Sequence, residues 1–228
     1  MSVLLNSFRW RRHSSSRGLT PSRAAARLRR AGTLLTPAEV EQLLEHTGAV
    51  RRGHFQLSSG LHSPVYVQCA LLLEHPVHTA RVADALAQLF KETSVDVVAA
   101  PALGGIVLGY ELARQLGARS VFVERDSQGK LALRRFSLQG GERVLVAEDV
   151  LTTGGSTQDT IAVMRQAGGT VIGVTAILDR SGGGVKLDLP LRVLLSQKLE
   201  TYDPKDCPLC RAGQPVEKPG SRPNKREA

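Results

Sequence analysis

The 228-residue chain is 42% hydrophobic and 22% charged with a formal net charge of +9, a balance that excludes a disordered polymer and allows a domain with a sizeable core. Three cysteines do not make a disulfide framework, and the longest uncharged apolar run, 97–110, is interrupted by Pro101, Gly104, Gly105 and Gly109, well short of the roughly 20 apolar residues that span a bilayer. No membrane association is expected, and with no secretory-type apolar stretch near the start the expected location is reducing and cytoplasmic.

Residues 1–35 read as a basic leader without a packed core. Arginines 9, 11, 12, 17, 23, 27, 29 and 30 all precede the first acid, Glu39. Three readings stay open for this leader: an organelle import signal, a basic arm for nucleic acid, and an unstructured extension. The remaining 22 Lys and Arg are balanced by 21 Asp and Glu, so the body of the chain offers no broad nucleic-acid footprint.

Regular structure is expected over 36–200. Thr36-Pro37-Ala38-Glu39 reads as a capping box with Pro at the first helical position, and Val40, Leu43 and Leu44 supply the apolar face of a short helix that stops near Gly48. From Val50 to Leu73 short alternating pieces broken by Ser58-Ser59-Gly60 and Ser63-Pro64 predict small strands and turns, a subdomain without long helices. Pro76 opens a helix that runs to about Glu92. Strands and helices then alternate: strand 95–100, helix 105–116, strand 120–124, strand 143–148, helix 156–167 and strand 171–178. That order implies a parallel α/β sheet with right-handed crossovers and both faces covered. Residues 201–228, which include five prolines, read as an extended tail.

In such sheets ligands sit beyond the carboxyl ends of the strands. The segments after the strands are therefore the candidate site: 101–105, 125–141, 149–155 and 179–184. The most informative stretch is 143–156, where a hydrophobic strand ends in Glu148 and Asp149, continues through Val150 and Leu151, and turns through Thr152, Thr153, Gly154, Gly155 and Ser156 into a helix. Small residues let backbone N–H groups converge, and the helix dipole and hydroxyls favour an anion. With no Lys after the glycines this is not a Walker loop, and no dinucleotide glycine pattern is present. Acids beside a phosphate cradle repel it unless they face neutral hydroxyls or a divalent cation. A ribose 5-phosphate meets both demands, with its phosphate in the loop and its 2' and 3' hydroxyls donating to Glu148 and Asp149.

This stretch resembles the sugar-diphosphate signature of the phosphoribosyltransferase family. Phe55 to Val67, with its aromatic, Ser-Gly turn and Ser63-Pro64 pair, resembles the amino-terminal signature of the orotate phosphoribosyltransferases, and the resemblance continues in order from Thr36 to Gln197. It implies a type I phosphoribosyltransferase fold, an α/β architecture whose central, mostly parallel sheet is flanked by helices and carries a small N-terminal hood. It also implies transfer from 5-phosphoribosyl 1-diphosphate (PRPP) to orotate, giving orotidine 5'-monophosphate and diphosphate, with Mg2+ held mainly through PRPP and no direct protein ligand to the metal. By the same resemblance Arg180 meets the orotate carboxylate together with Tyr66, Val67 and Thr152, and backbone amides at Leu103, Gly104 and Gly105 meet the diphosphate. Arg125 and Lys130 belong to a mobile basic loop that closes over the site of the other subunit in a homodimer; with Asp149 they are the expected catalytic residues. The other readings are transfer to a different base and a PRPP-binding regulator.

Three departures from the family pattern stand out: Ser58 and Gly104 occupy positions where many members carry lysine, and the loop is poorer in lysine and lacks histidine. The acid pair, Thr152 and Arg180 are intact, which favours an active enzyme. Outside this pattern, Cys207-Pro-Leu-Cys210 has the spacing of half a zinc site. Its completion across a dimer or by Asp203 and Asp206 is one reading, and unliganded tail thiols are the other. His75 and His78 read as surface residues and Cys69 as a small core residue.

Overall fold

Residues 34–57 and 59–219 are described by a computed structural model; residues 1–33, Ser58 and 220–228 lie outside the described residues. The capping box forms as the sequence predicts: the Thr36 hydroxyl accepts from the Glu39 amide at 3.3 Å, and the Glu39 carboxylate accepts from the Thr36 amide at 2.8 Å. Helix α1 (Pro37–His46) follows and buries Val40, Leu43 and Leu44. An antiparallel hairpin of β1 (Val50–Gln56) and β2 (His62–Val67) forms the hood, with Val50 opposite Val67 and Gln56 opposite His62.

A short α2 (Ala70–Leu73) leads into α3 (Pro76–Gln88), which ends one turn earlier than expected. The alternation then runs β3 (Val97–Pro101), α4 (Gly105–Leu116), β4 (Arg119–Arg125), β5 (Leu131–Ala132), β6 (Arg143–Leu151), α5 (Gly155–Gln166), β7 (Thr170–Asp179) and β8 (Leu191–Ser196). These strands make one sheet in the order β5-β4-β3-β6-β7-β8, parallel except for the β4–β5 hairpin. Strand direction alternates side chains between two cores. Val98, Leu145, Ala147 and Ile177 join α1, α3 and α4 on one face, while Val97, Ala99, Val144, Val146 and Val174 join Ile161 and Met164 of α5 on the other. Truncating a fully buried member such as Leu108 or Met164 to alanine costs about 2–5 kcal/mol.

Chain order reverses about β3: one crossover leads outward to β4, and the later strands build away on the other side through β6. Such a switch point opens a crevice at the carboxyl ends of the two central strands. The loop after β3 meets the last residues of β6 there, and a Cβ on Gly104 would lie 2.9 Å from Asp149 Oδ2.

Two expectations are corrected. Strand β6 runs through Leu151, with Val150 opposite Leu178 and Leu151 opposite Asp179, so Asp149 sits inside a paired strand, as Glu148 does, and not in the segment after it. The segment from 201 is not an extended tail over its described part. Tyr202 pairs with His62 on β2, Glu217 exchanges backbone bonds with His54 and Gln56, and a single turn, α6 (Pro208–Arg211), lies between. The hood edge offered unpaired backbone groups, and the segment satisfies them. Ser63, fully buried, adds a bond from its hydroxyl to the Glu200 carbonyl at 2.7 Å.

Candidate active site

The turn between β6 and α5 has one backbone requirement. Gly154 has φ +80°, and a Cβ there would lie 2.7 Å from Val185 Cγ1, so only glycine fits both the left-handed conformation and the packing. This lets the chain swing from Leu151, buried, through exposed Thr152 and Thr153 into Gly155, the first residue of α5. The amides of the first helical turn and the two exposed threonines thus lie at the crevice end of the sheet, an arrangement that suits an anion.

The two acids part company because neighbouring residues on a strand face opposite sides. Glu148, 4% exposed, turns toward α5 and accepts from Ser156 Oγ at 2.6 Å and Thr157 Oγ1 at 3.2 Å. Burial pushes its carboxyl up to about 7, with Asp149 adding to the rise and the two hydroxyls opposing it. Glu148 Oε1 and the Ser156 hydroxyl are therefore engaged with each other, whereas the sequence predicts both acids turned to one ribose. Asp149 faces the other way, toward Gly104. Its Oδ1 accepts from the Val150 amide at 2.9 Å, and burial raises its pKa against that bond. Because residue 104 is glycine, no cation stands beside this carboxylate, and Asp149 enters no ion pair among the described residues.

Arg180 begins the loop after β7. Its amide donates to Leu151 O at 3.0 Å and its carbonyl accepts from the Leu199 amide at 3.1 Å. Asp179, 1% exposed, stakes the same loop: burial works to raise its pKa, but donors from Ser181, Gly183 and Ser196 outweigh it and hold the carboxylate low. The Arg180 side chain is driven inward, where Nη2 is buried without a hydrogen-bond partner. Burial depresses the guanidinium pKa, while Tyr66 acts to raise it. Tyr66 itself is half-buried; its pKa is raised by burial and by Asp149, and lowered by Arg180. Tyr66, Asp149 and Arg180, from β2, β6 and the loop after β7, thus share one electrostatic neighbourhood.

The remaining sequence candidates divide. Leu103 is 78% exposed and Gly104 lies at the mouth of the crevice, while Gly105 is buried at the start of α4. Val67, one residue beyond Tyr66, packs with Val150 onto the α1–α3–α4 core, so alternation turns it away from the neighbourhood of Tyr66, Asp149 and Arg180. Leu151 is 1% exposed and has only its backbone to offer. Arg125 and Lys130 lie at the tip of the β4–β5 hairpin. The Arg125 guanidinium bonds the Gly129 carbonyl, Asp126 Oδ1 accepts from the amides of Gln128 and Lys130 at 2.9 Å, and Lys130 is exposed. These bonds close the hairpin on itself and do not bring the two cations to the Asp149–Ser156 segment.

Cys69 is buried, as expected, with its thiol pKa pushed well up by burial. His75 is a surface residue beside Glu74, but His78 is half-buried, with Nδ1 lacking a partner. Among the described residues no helix is long and apolar enough to cross a membrane.

Residues 70–204 match the phosphoribosyl transferase domain family. The chain is 50% identical to the orotate phosphoribosyltransferase of Caldicellulosiruptor bescii over 182 residues, covering 79% of this chain and 95% of that one. The enzyme of the same name from Thermotoga maritima is also 50% identical, over 80% of this chain and 98% of that one. Among solved structures, the orotate phosphoribosyltransferase of Aeropyrum pernix superposes with a TM-score of 0.60 at 28% identity, over 70% of this chain and 94% of that one. An adenine phosphoribosyltransferase from Thermoanaerobacter pseudethanolicus, 18% identical with a TM-score of 0.55, shares the fold.

Proposed function

The chain belongs to the orotate phosphoribosyltransferases, and from that premise we propose that it joins orotate to PRPP, forming orotidine 5'-monophosphate and diphosphate, with its own residues dividing the work as their geometry suggests. The observation that carries the reading is the buried, unpartnered Arg180 Nη2 beside Tyr66. A polar atom stripped of water and left without a partner costs about 1–3 kcal/mol, and a carboxylate on the bound base recovers that cost through a charge-assisted bond. Orotate carries such a carboxylate; uracil and the purines do not.

In this reading the amides of 153–155 and the hydroxyls of Thr152 and Thr153 hold the 5-phosphate. Asp149 accepts from the ribose hydroxyls, its Oδ2 lying on the side of residue 104. Glu148 braces the turn from behind through Ser156 and Thr157. Backbone groups at Leu103–Gly105 approach the diphosphate, closely because residue 104 has no side chain. The C1'–O bond breaks with oxocarbenium character, so these contacts act mainly by stabilising the departing diphosphate and by holding N1 of the base in line.

Mg2+ would supply charge neutralisation on the diphosphate. The donor set fits a metal held through substrate: Asp149 offers hard oxygens without a competing cation, and no cluster of three carboxylates stands near it among the described residues. Arg125 and Lys130 sit on an exposed hairpin away from the Asp149–Ser156 segment, which suits a lid serving the partner site of a homodimer in the cytoplasm.

The test is a spectrophotometric assay of the purified protein with Mg2+ and PRPP, with orotate, uracil and hypoxanthine in parallel. Consumption of orotate alone is expected. Turnover of uracil at a comparable rate, or none with any base, would refute the assignment.

A further inference from the structure

The hood and the C-terminal segment bring together four side chains from three separate stretches. His54 on β1 is 3% exposed, His62 on β2 6%, and Cys207 0%; Cys210, on the turn of α6, is exposed. Their ligand atoms all lie within 4.8 Å of one another. We infer that His54, His62, Cys207 and Cys210 are the four ligands of a structural zinc ion that clasps the C-terminal segment to the hood. The sequence leaves the two cysteines with partners across a dimer, with Asp203 and Asp206, or with none. Asp203 is instead spent on the local amide of Lys205, and the partners come from the hairpin.

The distances fit tetrahedral Zn2+. With Zn–S of about 2.3 Å and Zn–N of about 2.0–2.1 Å, tetrahedral geometry separates N from S by about 3.5 Å. The Cys207 Sγ–His54 Nε2, Cys210 Sγ–His54 Nε2 and Cys210 Sγ–His62 Nδ1 separations are 3.5, 3.7 and 3.3 Å. His54 Nε2 and His62 Nδ1 stand 2.8 Å apart, so the ion needs them to part by about half an ångström. Outside the four ligands, His54 Nδ1 lies 2.9 Å from the Gln214 carbonyl. Donation to that carbonyl fixes the tautomer that presents a bare Nε2 to the ion, the usual support for a ligating imidazole.

Charge also balances. Both thiols give their protons to solvent on binding, and two thiolates with two neutral imidazoles cancel the charge of Zn2+, which makes a buried site affordable. Two thiolates and two imidazoles in a tetrahedral set select zinc over the hard cation of the substrate site. The ion would hold fast β2, the strand that carries Tyr66.

The test uses the full chain under reducing conditions, stripped by a chelator and reloaded with Zn2+ or Co2+ alone. One metal per chain is expected, the Co2+ form should show the visible absorption of a tetrahedral thiolate site, and stripping should lower Tm and expose 201–219 to protease before the rest. Cys207→Ser with Cys210→Ser should lose the metal, whereas Cys210→His, which keeps four ligands, should retain it. The last comparison and the Co2+ spectrum of the unaltered chain decide the matter even if the double variant fails to fold. Substoichiometric metal after reloading, retention by a folded double variant, or a Cys207–Cys210 disulfide that reduction does not convert into a metal-binding form would overturn the assignment.

Discussion

Replacing Arg180 with methionine keeps an unbranched but shorter side chain and removes its charge and its donors. The backbone bonds of this residue to Leu151 and Leu199 survive the change, so the loop keeps its course. In the ligand-free protein the wild-type guanidinium is a liability, because its buried Nη2 has no partner and an orphaned donor costs about 1–3 kcal/mol. The variant should therefore unfold no lower than wild type, and each kcal/mol recovered should raise Tm by about 2–4 °C for a chain of this size. With orotate bound the balance reverses. A charge-assisted bond is worth about 1.5–3 kcal/mol, so kcat/KM for orotate should fall about 10- to 150-fold. PRPP affinity, measured calorimetrically without orotate, should move less than about threefold, which is under 0.7 kcal/mol, and the preference for orotate over uracil should narrow. Equal losses toward orotate and PRPP, or a Tm several degrees below wild type, would show that Arg180 is a structural cation and would refute the assignment of its orphaned nitrogen to a ligand carboxylate.

Glu148 predicts a pH signature in the ligand-free protein. Its folded pKa of about 7 lies above the ordinary 4.5, so its contribution to stability is complete below about 4.5 and is lost as pH rises through about 7. Glu148→Gln keeps an oxygen for Ser156 and Thr157 but stays neutral, so it should be more stable than wild type at pH 8, by on the order of 3 kcal/mol, with the gap closing near pH 5; a Tm difference independent of pH would contradict this. Gly154→Ala places a side chain at φ +80° against Val185 and should cost about 1–3 kcal/mol while raising the KM for PRPP more than that for orotate; an unchanged Tm and KM would mean the turn is not as tight as its contacts imply. Asp149→Asn and Lys130→Ala should each be impaired alone, and subunits of the two variants denatured and refolded together should regain activity if the lid serves the neighbouring site. Failure of the mixture to exceed its parents would return Lys130 to its own subunit or to solvent.

Much of this protein is local, and local chemistry is what a sequence displays. The capping box at Thr36, the alternation of β3 to β7 with their helices, the start of α4 at Gly105 and the tight turn at Gly154 all follow from side chains a few residues apart. The turn at 152–156 was legible for the same reason, since a glycine turn opening a helix suits an anion. β8 was missed, a short strand beyond an irregular loop with no helix before it to mark a βα unit.

Tertiary structure decided what depends on distant residues or on the side of a strand. The extension of β6 through Leu151 is set by its pairing with β7, and it alone sends Glu148 to α5 and Asp149 to the crevice. One step of alternation on β2 separates Tyr66, turned to the site, from Val67, turned to the core. The burial of Arg180 depends on β2, β6 and the 199 segment closing around it. Cys207 meets His54 across 153 residues of chain, and two histidines on a hairpin give no spacing signal that points to a cysteine pair so far away. Short-range propensities determine which elements form; the closure of the sheet and the docking of the last segment, paid for by burial and backbone pairing across the whole chain, determine which side chains finally share a site.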